Sequence, residues 1–280
     1  MTPSPSTIAA RRRAFGDLHA SGCFVIPNPW DAGSASFLAS LGFKALATTS
    51  SGFAWTQAQA DGSMSRDAVL AHLREMVAAT ELPVNADFES GYGADAQAVG
   101  ESVRLAVDTG VAGLSIEDAT GHPERPIHDL ATAVARLRAA RGAIASAGGD
   151  TLLVGRAENY LYGRPDLADT ISRLRAYADA GADCLYAPGI RTREDIAAVV
   201  AAVAPKPVNL LVSSNSDLTL ADIAALGVRR VSVGGALARS AWGGFMRAAQ
   251  ALADGGVFDG FAEAASGAEL NALFRGRATG

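Results

Sequence analysis

Lysine and cysteine are scarce in this chain of 280 residues. Lys44 and Lys206 are the only lysines, and each stands just before an apolar run. Cys23 and Cys184 are the only cysteines, far apart and each within an apolar run, which predicts two buried thiols in a reducing compartment. So few cysteines exclude a small secreted domain held together by disulfides.

Long apolar runs and clusters of basic charge are also missing. No apolar run follows the basic residues Arg11 to Arg13, so the sequence predicts neither a signal peptide nor a membrane span. The formal net charge is -5 and the basic residues are scattered, which argues against nucleic-acid and anionic membrane partners. We therefore expect a cytoplasmic protein.

The composition favours one large core. The chain is 49% hydrophobic, and no stretch rich in Gly, Pro or Ser is long enough to link two cores. We predict a single domain over residues 1–280, in which residues 236–280 form C-terminal helices.

Two acids follow one of the apolar runs, Pro83 to Asp87. Side chains alternate along a strand, so Asp87 and Glu89 are expected to point the same way. Like charges this close need a shared proton, a basic partner or a hard cation, and no basic residue lies nearby in sequence. The first interpretation is a divalent metal site, with Gly91 and Gly93 allowing a sharp turn beside it. The alternative is an acidic strand end that leads into a solvated loop.

Helix, glycine turn and apolar strand recur along the chain. An opening helix is predicted over residues 6–20, and Asp31 is predicted to cap a helix that ends near Leu41. Continuous apolar strands suit a parallel sheet covered on both faces, and eight βα units suit a closed barrel. We predict a TIM-type (β/α)8 barrel with an N-terminal helix and extra helices after Ala236. A doubly wound open sheet is the alternative, although no Gly-x-Gly-x-x-Gly follows the first strand. The predicted strands are Cys23 to Ile26, Lys44 to Thr48, Pro83 to Asp87, Gly113 to Glu117, Leu152 to Arg156, Cys184 to Tyr186, Pro207 to Val212 and Val231 to Val233.

In such barrels the active site lies at the carboxyl ends of the strands. Acids and one arginine converge there, which favours the metal interpretation over the solvated loop. Lys44 and Lys206 fall at the opposite ends of their strands, so a Schiff-base mechanism is excluded. The residues at the carboxyl ends are Asn28, Thr48 to Phe53, Asp87, Glu89, Glu117, Asp118, Arg156, Glu158, Tyr186, Ser213 to Asn215, Gly234 and Gly235.

These motifs resemble the isocitrate lyase and phosphoenolpyruvate mutase superfamily, in order and over most of the chain. They are Thr49-Ser50-Ser51-Gly52-Phe53, Asp61-Gly62, Asp87-x-Glu89-Ser90-Gly91-Tyr92-Gly93, Ser115-Ile116-Glu117-Asp118, Gly155-Arg156-Ala157-Glu158, Ala180-Gly181-Ala182-Asp183 and Val231-Ser232-Val233-Gly234-Gly235.

The resemblance implies a magnesium-dependent barrel, with Mn²⁺ as an alternative, that acts on 2-oxo acids or enol phosphates. It implies that Asp87 binds the metal directly and that three further acids hold metal-bound waters, namely Asp61, Glu89 and Glu117. It also implies that the turn Ser51-Gly52-Phe53 and Arg156 bind the substrate. A homo-oligomer, dimer or tetramer, with a late helix swapped between subunits is implied as well.

Two catalytic loops of the superfamily are absent. The lyases carry Lys-Lys-Cys-Gly-His or Lys-Arg-Cys-Gly-His, and the mutases carry Lys and Asn after the fourth strand, where this chain has Ala119 to Pro126. Within that loop His122 is either a proton donor or a polar loop residue. Tyr186 either aims its phenol at the substrate or packs in the core.

Decarboxylation needs no general base to start it, so it is least affected by the missing loops. We therefore predict a Mg-dependent lyase or decarboxylase that cleaves a C–C bond of a small, oxaloacetate-like 2-oxo acid through a metal-stabilised enolate. The candidate catalytic residues are Arg156, Ser51 and His122, and Tyr186 is a candidate for substrate binding. The alternatives are a mutase or hydrolase for P–C bonds, and a non-catalytic 2-oxo acid binding protein.

Overall fold

Eight parallel strands form a nearly closed barrel in the computed structural model, which describes residues 3–275. Each strand pairs with its neighbours in the order β1-β8-β7-β6-β5-β4-β3-β2. Between β1 and β2, the Ala47 N–H donates to the Pro27 carbonyl at 3.0 Å. Because β1 also pairs with β8, the sheet curls into a barrel, which confirms the predicted fold and excludes the open sheet. The strands are β1 (Phe24–Ile26), β2 (Leu46–Ala47), β3 (Val84–Asp87), β4 (Gly113–Glu117), β5 (Leu152–Arg156), β6 (Cys184–Tyr186), β7 (Val208–Leu211) and β8 (Arg230–Ser232).

Helices surround the barrel, and polar caps fix where most of them begin. Asp31 is the N-cap of α2 as predicted, and its carboxylate accepts from the Ser34 N–H at 2.7 Å. The helices are α1 (Pro5–Ala20), α2 (Ala32–Ser40), α3 (Ser50–Thr56), α4 (Arg66–Ala78), α5 (Ala96–Val107), α6 (Leu130–Ser146), α7 (Leu167–Asp179), α8 (Arg193–Val203), α9 (Leu220–Ala225), α10 (Ala236–Gly255) and α11 (Gly267–Arg275). The predicted C-terminal helices are thus α10 and α11, and the last five residues of that range lie outside the described part of the chain.

The main core lies between the strands and the helices, where apolar side chains of both pack together. A smaller cluster fills part of the barrel interior, and Phe15 of α1 belongs to it. Cys184 is fully buried in this cluster, whereas Cys23 is half-buried, and both are free thiols. None of the described helices is long and apolar enough to cross a membrane.

Candidate active site

A cavity of ≈ 350 Å³ opens at the carboxyl ends of the strands. Most of its described lining residues are polar, and none of them is lysine, histidine or cysteine. Lys44 and Lys206 precede β2 and β7 and therefore lie at the other face of the barrel, as the Schiff-base exclusion required. The polar lining residues are Asn28, Thr48, Thr49, Ser50, Ser51, Asp61, Asn85, Asp87, Ser115, Arg156, Tyr186, Asn209, Ser213, Arg230, Ser232 and Arg239.

The loop after β3 turns through three residues with left-handed backbone. Glu89, Gly91 and Tyr92 have φ values of 45°, 88° and 50°. Gly91 therefore has the conformational role predicted for it, but two non-glycine residues adopt the same region, where such residues are uncommon. Gly93 is required for a different reason, because a Cβ there would overlap the backbone at the start of α5. The strain is concentrated beside the acids, as is frequent at functional sites.

Arg156 is the basic partner that the local sequence around Asp87 lacks. It ends β5, and its Nη1 lies 3.3 Å from Asp87 Oδ1 and 3.1 Å from Glu117 Oε2. Its Nε donates to Glu158, which is almost fully buried. The guanidinium also lies over the Tyr186 ring, 5.2 Å from the centroid. One arginine thus joins the acids that end β3 and β4 and the acid that follows its own strand.

The acids around Arg156 outnumber it, and their protonation reflects this. Burial raises the pKa of Glu89 to about 7, and the charges of Asp87 and Asp61 add to that rise. The hydrogen bond from the Tyr92 hydroxyl acts in the opposite direction and lowers it. Burial also raises the pKa of Glu117 and, with a contribution from Asp87, the pKa of Asp61. One guanidinium does not neutralise this group, so a further cation would be stabilised beside it.

The chemistry of these residues fits a hard divalent cation, because all the donors are carboxylate or hydroxyl oxygens. Their side-chain arrangement does not yet form a set of ligands: no three Asp, Glu, His or Cys groups among residues 3–275 are placed to hold an ion. Arg156 contacts Asp87 and Glu117, while Glu89 accepts a short hydrogen bond from Tyr92. Asp61 is exposed as a residue, but it lines the cavity and hydrogen-bonds Ser50. The assignment of these four acids as metal ligands stays a prediction.

The predicted substrate-binding turn is only partly at the cavity. Ser51 lines it, whereas Gly52 and Phe53 do not. Their backbone N–H groups donate to the Thr49 hydroxyl and carbonyl at the start of α3. The Phe53 ring stacks on His72 with centroids 4.0 Å apart. Of the three, only Ser51 is thus placed to meet a substrate.

Tyr186 and His122 have opposite placements. Tyr186 lines the cavity while its hydroxyl bonds Ser232, so it has features of both predicted roles, and burial raises its pKa to about 12. His122 is exposed in the loop after β4, and its backbone N–H donates to the Thr120 hydroxyl at 2.9 Å. The structure does not bring His122 to the cavity, and its catalytic role remains a prediction.

A buried network behind the site was not recognised in the sequence. Asp118 Oδ1 accepts from the Glu158 N–H at 2.8 Å, and Oδ2 accepts from Tyr177 at 2.5 Å and from Arg173 at 3.0 Å. This carboxylate fixes the backbone of the residue that binds Arg156. Tyr177 and Arg173 lie on α7, a helix whose apolar spacing carries no signal of a polar contact with β4.

Arg230 was also missed. It begins β8, is 3% exposed, and reaches the cavity from within the barrel. The only signal in the sequence was an arginine directly before the predicted strand Val231 to Val233.

Comparisons with known proteins bear on the family and the fold. The profile of the phosphoenolpyruvate phosphomutase family matches residues 15–253. The chain belongs to this family. It lies within the superfamily of lyases and mutases that its motifs resemble. A crystal structure from Burkholderia cenocepacia J2315, described only by the class lyase/mutase, superposes with a TM-score of 0.93 and 49% identity, covering 96% of this chain and 98% of that one.

Relatives with and without an assigned activity share the family's fold. An uncharacterized protein of Mycobacterium tuberculosis (strain ATCC 25618 / H37Rv) is 32% identical over 86% of this chain and 90% of its own length. An oxaloacetate decarboxylase of Bradyrhizobium sp. (strain BTAi1 / ATCC BAA-1182) is 32% identical over 58% of this chain and 54% of its own length. The structure of an oxaloacetate acetylhydrolase with its product oxalate has 26% identity and a TM-score of 0.83, covering 97% and 95%. Members of this superfamily commonly use divalent metals.

Proposed function

We propose that this protein is a Mg²⁺-dependent lyase that decarboxylates a small, oxaloacetate-like 2-oxo acid. The observation that carries the proposal is the composition of the cavity: acids, hydroxyls and arginines line it, and none of its described lining residues is lysine, histidine or cysteine. Removal of a proton at the start of a reaction needs a base with a suitable pKa, and the acids that could act in this way are assigned here to the metal. Decarboxylation begins instead with cleavage of the C–C bond, whose electron pair remains on the enolate while CO₂ leaves.

The residues of the cavity would bind and orient the substrate. Arg156 is held by Asp87, Glu117 and Glu158, so its guanidinium is fixed in place before substrate arrives. A carboxylate matches the planar fork of a guanidinium, and Ser51 adds a hydroxyl donor on the same wall. Fixing both groups in advance lowers the entropy lost in reaching the reactive geometry.

The acids supply the site for the metal. Asp87 would hold it directly, and Asp61, Glu89 and Glu117 would surround it, because carboxylate oxygens are ligands that Mg²⁺ prefers. A bound Mg²⁺ ion would supply Lewis-acid stabilisation of the negative charge that develops on the keto oxygen. The similarity to an oxaloacetate decarboxylase and an oxaloacetate acetylhydrolase supports a substrate of this class.

The test is a coupled assay of pyruvate formed from oxaloacetate with Mg²⁺, corrected for the background rate of the metal alone. Wild type should exceed the background, and Arg156→Ala should fall towards it. Arg104→Ala, which removes an exposed arginine on α5, is the control and should keep the wild-type rate. Because Arg156→Ala leaves several acids without their partner, circular dichroism must show that it folds, and Arg156→Lys provides a second variant. Equal rates for wild type and a folded Arg156 variant would contradict the proposal.

A phosphonate mutase or hydrolase is the second candidate. Gly234 and Gly235 line the cavity at the start of α10, a helix of 20 residues, and Arg239 of its first turn lines it too. Backbone N–H groups at a helix N-terminus favour phosphate and phosphonate groups. Phosphate release from phosphonopyruvate, without pyruvate from oxaloacetate, would support this candidate. Mg²⁺-dependent binding of a 2-oxo acid without turnover would indicate a non-catalytic binding protein.

We further propose that the protein forms a homo-oligomer through its C-terminal helices. Large apolar side chains there are exposed, and more of them are clustered than a soluble monomer usually presents. Light scattering should show a dimer or tetramer at micromolar concentration, and truncation after Gly255 should reduce it. A monomer unchanged by the truncation would refute the proposal. The exposed side chains are Trp242, Phe245, Met246, Leu252, Val257, Phe258, Phe261, Leu270 and Phe274.

A further inference from the structure

Arg230 lies inside the barrel with no acid beside it. It is 3% exposed and forms no ion pair with any carboxylate of residues 3–275. By contrast, Arg12 of α1, which is 9% exposed, pairs with Asp150 at 2.9 Å. A buried cation normally has a counter-ion, because removing an unpaired charge from water is strongly unfavourable.

The neighbours of Arg230 in the barrel are neutral. Its Nε donates to Asn209 Oδ1 at 2.8 Å, and its Nη1 lies 3.5 Å from both Asn85 Oδ1 and His19 Nε2. His19 Nδ1 lies 2.8 Å from the Phe15 carbonyl, which can only accept, so this nitrogen carries the proton. Burial and the charge of Arg230 lower the pKa of His19 to about 3, which keeps the ring uncharged. The positive charge of Arg230 is therefore not compensated by these groups.

One edge of the guanidinium is left for a ligand. Nη2 of Arg230 donates to no described residue, and the side chain lines the cavity. Ser232 and Asn209, which hydrogen-bond each other at 2.9 Å, and Ser115 also line the cavity. The interior of such a barrel is usually filled by bulky branched side chains, so this polar space is unusual.

We propose that Arg230 binds a small monovalent anion of carboxylate size within the barrel, below the acid-rich mouth. An anion there would receive a charge-assisted hydrogen bond from Nη2 and would neutralise the buried cation. Two sources have this chemistry: the distal carboxylate of a substrate, and a free anion such as chloride or formate. Acids surround the mouth of the cavity, whereas its inner end carries the positive charge of Arg230. A dicarboxylic 2-oxo acid is the substrate class whose second carboxylate could bind at that inner end.

The direct test is a bromide soak of crystals of the full chain. An anomalous peak within hydrogen-bonding distance of Arg230 Nη2 is expected. Bromide at surface sites alone, with water or nothing at Nη2, would overturn the proposal. This measurement uses the wild-type protein and needs no variant to fold.

Chloride binding in solution gives the second test, read from the ³⁵Cl NMR line width and competed with formate. Arg230→Met should weaken binding by roughly tenfold or more, as expected for loss of one charged hydrogen bond. Arg230→Lys keeps the charge and should retain part of the binding. Arg12→Met removes a buried arginine that already has a carboxylate partner, and it should leave chloride binding unchanged. Line broadening that does not depend on Arg230 would overturn the proposal.

Steady-state kinetics distinguish the two sources. If the substrate's distal carboxylate occupies the site, formate competes with the dicarboxylic 2-oxo acid and Arg230→Lys raises its KM, whereas inhibition by the product pyruvate, which lacks that carboxylate, stays unchanged. If a free anion occupies it, formate does not compete with the substrate. This arm rests on the proposed function, whereas the bromide and chloride measurements do not, so failure of the reaction would leave them interpretable.

Discussion

The carboxylate of Asp118 offers the sharpest test of how the site is supported. Its side chain is 1% exposed and accepts three hydrogen bonds, from Arg173, Tyr177 and the Glu158 backbone. Asp118→Asn removes the negative charge. Because both carboxylate oxygens accept hydrogen bonds, the new amide NH₂ must also face one of these donors, whichever way the side chain is turned. Breaking a buried ion pair from one side costs about 3–5 kcal/mol. Arg173 would still pair with Asp169 at 2.8 Å, so its charge would keep a counter-ion. We therefore expect the free energy of unfolding to fall by about 3 kcal/mol.

Three further variants serve as comparisons for this value. Tyr177→Phe removes one hydrogen bond and leaves Asp118 with two partners, so it should cost about 1–2 kcal/mol. The double variant should lose less than the sum of the single losses, because both changes disrupt the same network. Asp17→Asn makes the same chemical change on the exposed face of α1 and should stay within about 0.5 kcal/mol of wild type.

Urea unfolding followed by far-UV circular dichroism measures these free energies. If Asp118→Asn were no more destabilising than Tyr177→Phe, the ion pair with Arg173 would contribute nothing and the reasoning would be refuted. Additive losses in the double variant would show instead that the two residues act independently.

Three other predictions follow from the site and the barrel. Asp87→Asn should weaken Mg²⁺ binding in calorimetric titration more than Glu117→Gln does, because a direct ligand loses charge and geometry together; equal effects would contradict the assignment. Gly93→Ala should lower the free energy of unfolding by about 1–3 kcal/mol because its Cβ overlaps the α5 backbone, whereas Gly142→Ala within α6 has free space and should raise it by about 0.5–1 kcal/mol. Burial lowers the pKa of His19 to about 3, so the unfolded state takes up a proton below pH 6.5 and the folded state does not. The wild type is thus destabilised as pH falls. Between pH 7 and pH 5, the free energy of unfolding of His19→Gln should fall by about 2 kcal/mol less than that of the wild type. Equal falls would refute a neutral buried imidazole.

Repeating local patterns made the fold predictable. The βα units show an apolar strand, in most cases after a glycine turn, within about 30 residues, and the Asp31 cap was visible beside the helix it starts. The predicted and observed strands differ only at their ends. For example, β2 covers Leu46–Ala47 where five residues were expected, because only two of them form ladder pairs with β3.

The candidate site was predictable where a motif lies at a strand end. Asp87 and Arg156 were found in this way, since strand alternation and barrel topology bring such residues to one rim. Gly52 and Phe53 belonged to the same motif, yet their N–H groups are used by Thr49 inside α3. A motif identifies the turn but does not show which of its donors remain free.

The sequence by itself therefore determined the barrel, the rim at which Asp87, Glu117 and Arg156 meet, and the position of both lysines at the other face. Only the tertiary structure decided how the charges are paired. Arg156 pairs with the acids that end β3 and β4 and with Glu158, Asp118 takes side-chain partners from α7, and Arg230 is left without an acid inside the barrel. Ion pairs of this protein join residues as far apart as Arg12 and Asp150, 138 positions, and they depend on side-chain reach, which no local periodicity records.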